Sequence, residues 1–529
     1  MINIEDLKNK KLIGVLVLLA LFCWYGVFLC RQIDLTTADL GRHLKNGELI
    51  LKNFSFDNPI LKTNFYSYTE PDYSVINHHW LSGVVFFLVF KAVGFVGLHL
   101  FFIVLSFLAF WLFYRLAQKQ IGIGLAAILS LLAIPLISER VEIRPEVFSY
   151  VLAGLFLNLL WENRENRLGW KSLLWLPLLE IFWVNSHVYF FLGPVLIGVF
   201  LADFLFSKAR RKFFWKTSLI FALTCLATLI NPFGFQGSLT PLNIFNNYGY
   251  RLVENQSVWF LEKLGFINNP NFLLVKICLG ILLLSFIGAI KANWRQISLT
   301  NVFMALGFGA AAVLALRNFT VFGLFFLPIT AANLRIYAEK LKLPPKIELD
   351  FFSLPNKSLL AVSGIAIVIF LSITHQSRLL TRPLGLSLLK GNQGPAEFFI
   401  SHNLAGPVFN NYDIGGYLIY YLFPKEKVFV DNRPEAYSVD FFQKQYIPVQ
   451  ESREKWQEIQ AKYGFNAVFF AWHDATPWGQ QFLVQLIKDL DWAPVYVDNF
   501  AIIFLKRVEK NQDIISQHEI PQSYFKTNL

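Results

Sequence analysis

The chain has 529 residues, of which 55% are hydrophobic, 17% aromatic and only 16% charged. Soluble domains carry roughly 25% charged residues, so disorder and a purely aqueous enzyme are both excluded. Lys and Arg number 47 against 36 Asp and Glu, a net charge of +11, which fits cationic loops flanking membrane spans better than a nucleic-acid surface. No nucleic-acid partner is expected.

In chain order, apolar runs occupy 12–30, 96–117, 121–138, 146–161, 172–185, 188–206, 217–231, 271–290, 298–316, 318–334 and 358–374. A spanning helix needs about 20 mainly apolar residues, so these predict about eleven transmembrane helices in an α-helical polytopic membrane domain over 1–374. The first run follows Lys8, Lys10 and Lys11 but lacks a small-residue cleavage site, which marks an uncleaved helix rather than a signal peptide. Two long loops, 31–95 and 232–270, and one short charged loop, 139–145, fall on the same side of the membrane. Within the first, 39–52 reads as a helix capped by Thr36 or Thr37, with Leu40, Leu44 and Leu51 at helical spacing. Residues 80–93 are apolar but too short to span easily, which predicts an interfacial or re-entrant helix.

Every second connection is basic: Arg115/Lys119, Arg164/Arg167/Lys171, Lys208 to Lys216, Lys291/Arg295 and Arg335 to Lys346. The positive-inside rule makes that side, and the N-terminus, cytoplasmic. An odd number of spans then puts residues 375–507 outside. There, strand-like runs (407–410, 427–431, 467–472, 494–498, 501–505) alternate with helical stretches 453–464 and 478–490, predicting an extracytoplasmic α/β domain. A polar tail, 508–529, reads as loosely held. The four cysteines (Cys23, Cys30, Cys225, Cys278) lie in or beside apolar runs without a CxxC, so neither a disulfide framework nor a zinc site is expected.

Polar groups are expensive in a membrane and are kept where a cavity or partner needs them. Projected on this topology, Asp34, Asp39, His43, His78, His79, Glu139 to Arg144, Asn185, His187, Asn231 and Arg317 all reach the outer face. Each could simply snorkel or cap a helix end. Together they describe a carboxylate base, arginines for an anionic leaving group and histidine donors. His78-His79 lacks companions for a metal ligand set, and no GxGxxG, Walker A, GxSxG or HExxH occurs. Asp431-Asn432-Arg433 follows a strand-like run and resembles a loop site; the plainer reading is an Asp–Arg pair stabilising a turn.

Several segments carry a resemblance. TTADLGRHLKNGELI (36–50), NFYSYTEPDYSVINHHWLSGVVF (64–86), IRPEVFSYVL (143–152), WVNSHVYFFLG (183–193), INPFG (230–234), RNFTVF (317–322), NNYDIGGYLIYYL (410–422) and VFVDNRPEAY (428–437) occur in order. In this series the chain resembles a bacterial branch of the C-class (GT-C) membrane glycosyltransferases. The resemblance implies transfer of a sugar from a polyprenyl-phosphate donor to a glycan, lipid or protein acceptor at the outer face of the bacterial inner membrane, with inversion and without nucleotide. It implies Asp39 as general base, Arg144 and Arg317 as phosphate contacts, and His43, His79 and His187 as polar lining. The acid that often accompanies the base is replaced by Leu40, and His78-His79-Trp80 stands where relatives read H-E-W. Glu139 or Glu142 could supply the second carboxylate. Some members of the class use a divalent metal, but this sequence shows no ligand set and no cofactor is expected. The alternative is a non-catalytic membrane protein that binds lipid-linked glycan or an assembly partner. A transporter lacks support, since no inverted repeat or paired broken helices appear.

Overall fold

A computed structural model describes residues 4–53, 55, 57–207, 210–265, 269–341 and 382–525. The run expected to span at 358–374 lies outside the described residues. Counting helices of seven residues or more, the first part contains α1 (Ile4–Leu29), α2 (Leu40–Lys52), α3 (Trp80–Ile137), α4 (Glu146–Arg164), α5 (Trp175–Ser186), α6 (Leu192–Phe206), α7 (Phe214–Ala227), α8 (Asn271–Asn293), α9 (Leu299–Leu314) and α10 (Phe319–Lys340). Helix α3 is interrupted at Gly94 (φ 66°) and Gly122 (φ 79°), so its three pieces match the short run 80–93 and the two apolar runs that follow it.

By length and composition, four helical stretches among the described residues can cross a membrane: Trp80–Ile137, Val188–Phe206, Asn271–Gln296 and Leu316–Lys340. Gly14–Leu29 and Leu299–Leu314 are apolar but shorter. Trp80–Ile137 holds two of the expected runs, and several others open on 3-10 turns and continue as α-helices of 12 to 15 residues. Helix α10 is buried along most of its length. It packs on α3, where the Thr320 hydroxyl donates to the Ile137 carbonyl at 3.1 Å and Phe308 of α9 stacks on Phe325 at 3.8 Å.

Helix α2 corrects two expectations. Neither Thr36 nor Thr37 caps it; Asp39 holds the N-cap position, and its side chain makes no capping bond because it points elsewhere. Leu51 is exposed, while Leu40, Leu44, Gly47 and Ile50 form the buried face. Gly47 sets that rotation. A Cβ there would lie 2.1 Å from the Gly83 carbonyl of α3, so the helices touch backbone to backbone.

The C-terminal part contains α11 (Gly394–Ser401), β1 (Val408–Asn410), α12 (Gly415–Leu422), α13 (Arg453–Tyr463), β2 (Ala467–Phe470), α14 (Pro477–Lys488), β3 (Trp492–Val497), β4 (Ile502–Lys506) and α15 (Gln512–His518). The sheet order is β1-β2-β4-β3. β1 and β2 are parallel, with Phe409 opposite Val468, and the other two pairings are antiparallel. Its buried side is an aromatic cluster including Phe409, Trp456, Phe470, Phe482 and Phe504.

The strand expected at 427–431 does not form. Only Val428 bridges, to Ser67 of the first loop. The Asn410 side chain takes the place of a ladder, accepting from Phe429 N at 2.9 Å and donating to Val430 O at 2.7 Å. The tail is not loose through Phe525. Ile515 is buried, Asn511 bonds Asn466 at 2.9 Å, and Ile520 N donates to Pro494 O.

The two parts meet along the first loop. Arg31 and Ile33 bridge Leu384 and Leu388. At Gly41 a Cβ would lie 2.7 Å from the Gly416 carbonyl of α12, so α2 and α12 also approach backbone to backbone.

Candidate functional site

The N-terminus of α2 and the loop 139–145 meet at Asp39. Its Oδ2 accepts from Arg144 Nη1 at 3.0 Å, and its Oδ1 accepts from the Asn432 side-chain amide. Arg144 also donates to Glu142 Oε2 through Nε and Nη2 at 3.0 and 2.8 Å. Glu142 Oε1 accepts from Arg382 at 3.1 Å. A second chain of charges runs alongside. Glu254 pairs with Arg140 and lies 3.8 Å from Arg144, and Arg140 reaches Glu146 at 2.6 Å.

Burial pushes the Asp39 carboxyl up from its ordinary value, opposed by Arg144 and Arg42. For Glu142, burial is outweighed by Arg144 and Arg382, which hold it below the ordinary range. For Glu254, Arg140 and Arg144 overcome burial and hold it at about 2.

Four histidines from three segments stand beside this network. Ring centroids lie 5.6 Å apart for His43 and His79, 3.9 Å for His78 and His79, and 5.2 Å for His79 and His187. Burial lowers His43, His78 and His79 from the ordinary value, His78 to about 4, with Arg42 and Arg317 adding to the effect there. The rings are therefore neutral at pH 7 and can both donate and accept. His43 Nδ1 is buried without a partner, whereas His187 Nδ1 lies 2.8 Å from Ser149 Oγ.

Beside this network, Arg42 and Arg317 have no carboxylate within ion-pair distance among the described residues. Arg42 is 5% exposed, and its Nε donates to Asn432 Oδ1 at 3.2 Å. Arg317 donates to Asn255 Oδ1 at 3.0 Å, sits over the Tyr189 ring, and keeps a buried Nε without a partner. A buried cation without a counter-charge is costly, so the pair is suited to an anion. Asp413 is the converse case: its carboxyl makes no hydrogen bond or ion pair among the described residues. Burial, then Asp474 and Asp39, push it up to about 7.

Of the residues singled out in the sequence, Asp39 and Arg144 are in contact, and His43, His79 and His187 form one cluster. Arg317 lies near that cluster through Tyr189, whose ring is 4.7 Å from His187. Glu139 is elsewhere, accepting from Asn269 at 2.9 Å and Asn271 at 2.5 Å where α8 begins. Asn185 serves as a brace, accepting from Trp80 Nε1 and donating to the Ile230 carbonyl. Arg42, Glu254 and Asp413 were not anticipated, and Asn432 only as part of the stretch 431–433. Arg42 stands between Asp39 and His43 in one motif, so its charge was a usable signal. Asp431 and Arg433 do pair, at 2.7 Å, but the residue between them is the one that reaches the site. Among the described residues, no group of three or more His, Cys, Asp or Glu is arranged to hold a metal ion.

No protein-family profile and no curated protein sequence matches the chain. Solved structures do. The oligosaccharyltransferase AglB from Archaeoglobus fulgidus, in complex with an inhibitory peptide and a dolichol-phosphate, superposes with a TM-score of 0.60 at 12% identity, over 92% of this chain and 73% of that one. The Archaeoglobus fulgidus oligosaccharyltransferase tethered to an acceptor peptide gives 0.56 at 12% identity, over 95% and 75%. ArnT from Cupriavidus metallidurans in the apo state gives 0.51 at 13% identity, over 94% and 98%. At these identities the likeness is one of architecture: the chain has the fold of the C-class (GT-C) membrane glycosyltransferases.

Proposed function

We propose that the protein is an integral membrane glycosyltransferase that moves a sugar from a polyprenyl-phosphate donor to an acceptor at the outer face of the bacterial inner membrane. The observation that carries this reading is the juxtaposition of Asp39, held by Arg144, with the Arg42 guanidinium, which has no carboxylate within ion-pair distance among the described residues. The dolichol-phosphate bound by the structurally similar AglB supports a lipid-phosphate donor.

In the proposed step the acceptor hydroxyl gives its proton to Asp39 as its oxygen attacks the anomeric carbon. The bond from that carbon to the phosphate oxygen breaks on the opposite face, its electron pair leaving with the lipid phosphate. Two of the roughly four lone-pair sites on Asp39 are used by Arg144 and Asn432, and the others are open to a hydroxyl. Arg144 is spent on Asp39 and Glu142, so it keeps the base charged rather than binding phosphate. Arg42 and Arg317 take the phosphate, with planar donor forks matched to its oxygens. His43, His79 and His187 line the sugar with neutral donors and acceptors. Glu139 braces α8 and has no part in the step. The helical part carries Asp39, Arg42, Arg144 and Arg317, and the α/β part adds Asn432 and closes the acceptor side.

The test is incubation of the purified protein with labelled polyprenyl-phosphate sugars, compared with Asp39→Asn. Release of free lipid phosphate that the variant abolishes is the expected result. Donor binding without release, unchanged in the variant, would establish the non-catalytic binding role instead.

A further inference from the structure

The C-terminal α/β part reaches the centre of the site through one side chain. Asn432 donates its amide to Asp39 Oδ1 and accepts Arg42 Nε on its own oxygen. It thus stands between the acid and the Arg42 guanidinium, with one dipole satisfying both.

The surrounding structure fixes Asn432 in place. Asp431 and Arg433 on either side form a buried ion pair, with Arg433 also donating to Asn64 Oδ1 at 2.8 Å and Tyr437 Oη donating to Asp431. The Asp431 backbone N–H donates to Tyr437 Oη at 2.9 Å. Behind it, a Cβ on Gly416 would lie 3.2 Å from Asn432 Nδ2 and 3.4 Å from the Ala38 carbonyl. The close approach of α2 and α12 is therefore what delivers Asn432 to Asp39. A turn built only for local stability would need the Asp431–Arg433 pair; it would not need an amide aimed at another segment's carboxylate.

We infer that Asn432 is a positioning residue, which fixes the plane of the Asp39 carboxylate and holds Arg42 off it, so that Arg42 stays free for an anion. The inference rests on the reading of Asp39 as the proton acceptor, and it makes the α/β part a structural member of the active centre. Without the amide, Arg42 would turn to Asp39, and base and anion site would neutralise each other.

The experiment reads Asp39 directly. The full-length protein in nanodiscs is treated with a water-soluble carbodiimide and glycine ethyl ester across pH 4–8, and modification of Asp39 is followed by peptide mass spectrometry. The groups acting on this carboxyl are Arg144, Arg42, Glu254 and Glu142. Asn432→Asp, isosteric, replaces the donor by a like charge and raises the proton affinity of Asp39. At a fixed pH above its midpoint, labelling rises by about tenfold or more, while Glu142 labelling is unchanged. Asn432→Ala frees Arg42 to pair with Asp39, and labelling falls by a comparable factor. Opposite signs in the two variants are the expected result. Labelling of Asp39 unaltered in both, or absent in all three proteins, overturns the inference. If the signs appear but the wild type transfers no sugar from any donor, the positioning role stands and the glycosyltransferase reading falls. If transfer occurs, Asn432→Asp lowers kcat and shifts the acidic limb of the pH profile upward.

Discussion

Glu254→Gln is the perturbation whose size follows most directly from the structure. Glu254 lies in the loop after α7 and ties it to Arg140 and Arg144. Its carboxyl is held at about 2 against an ordinary 4.5. At about 1.4 kcal/mol per unit this is a differential of about 3 kcal/mol. The side chain is 27% exposed, so screening reduces the working figure to about 2 kcal/mol. A depressed carboxyl contributes stability that is present above its unfolded value and lost as pH falls toward the folded one. In the wild type, protection of the segment 251–258 should fall between pH 5 and pH 2. Glutamine cannot ionise, so the variant should lack that dependence. Amide hydrogen exchange by mass spectrometry, corrected for intrinsic rates, should show the segment exchanging about 30-fold faster in the variant at pH 7. Arg140 retains Glu146, so α4 should keep its protection. Equal protection of 251–258 at pH 7, or the same acid dependence in both proteins, would refute the reasoning.

Other outcomes follow from the same contacts. Arg42→Gln should weaken binding of a polyprenyl phosphate about 10- to 100-fold by titration calorimetry, since Asn432 holds that guanidinium off Asp39. Gly41→Ala places a methyl group against the Gly416 carbonyl and should destabilise the α2–α12 contact by about 1–3 kcal/mol, read as a lowered Tm. Glu139→Gln should leave transfer unchanged, with at most a small loss of stability where α8 begins.

The helical part was largely legible because its signals are local. Apolar runs of helical length bounded by basic loops gave helices α3 to α10 nearly in register. The step from run to span is less direct: the break at Gly94 falls between the expected segments 80–93 and 96–117, and a 3-10 turn precedes α5 without any change in hydropathy. In the α/β part, β2 and β4 followed from alternation, but 427–431 did not form a strand because the Asn410 side chain, invisible to a periodicity argument, satisfies its backbone. At the site, Asp39 and Arg144 were found by charge at predicted helix ends. Asn432 falls in the 431–433 stretch that resembles a loop site, but an amide flanked by an ion pair reveals no partner until the fold brings 432 to 39. Glu139 and Glu142 were equivalent in sequence. Only Glu142 shares an arginine with Asp39, while Glu139 is turned to Asn269 and Asn271.

The most direct test is a structure of the full-length protein with a short-chain polyprenyl phosphate, determined by electron cryomicroscopy in nanodiscs. Phosphate density in contact with the Arg42 or Arg317 guanidinium, on the same membrane face as Asp39, is the result this account predicts. Density at the basic connections near Arg164, Arg210 and Arg335, with the Arg42 region empty, would contradict it.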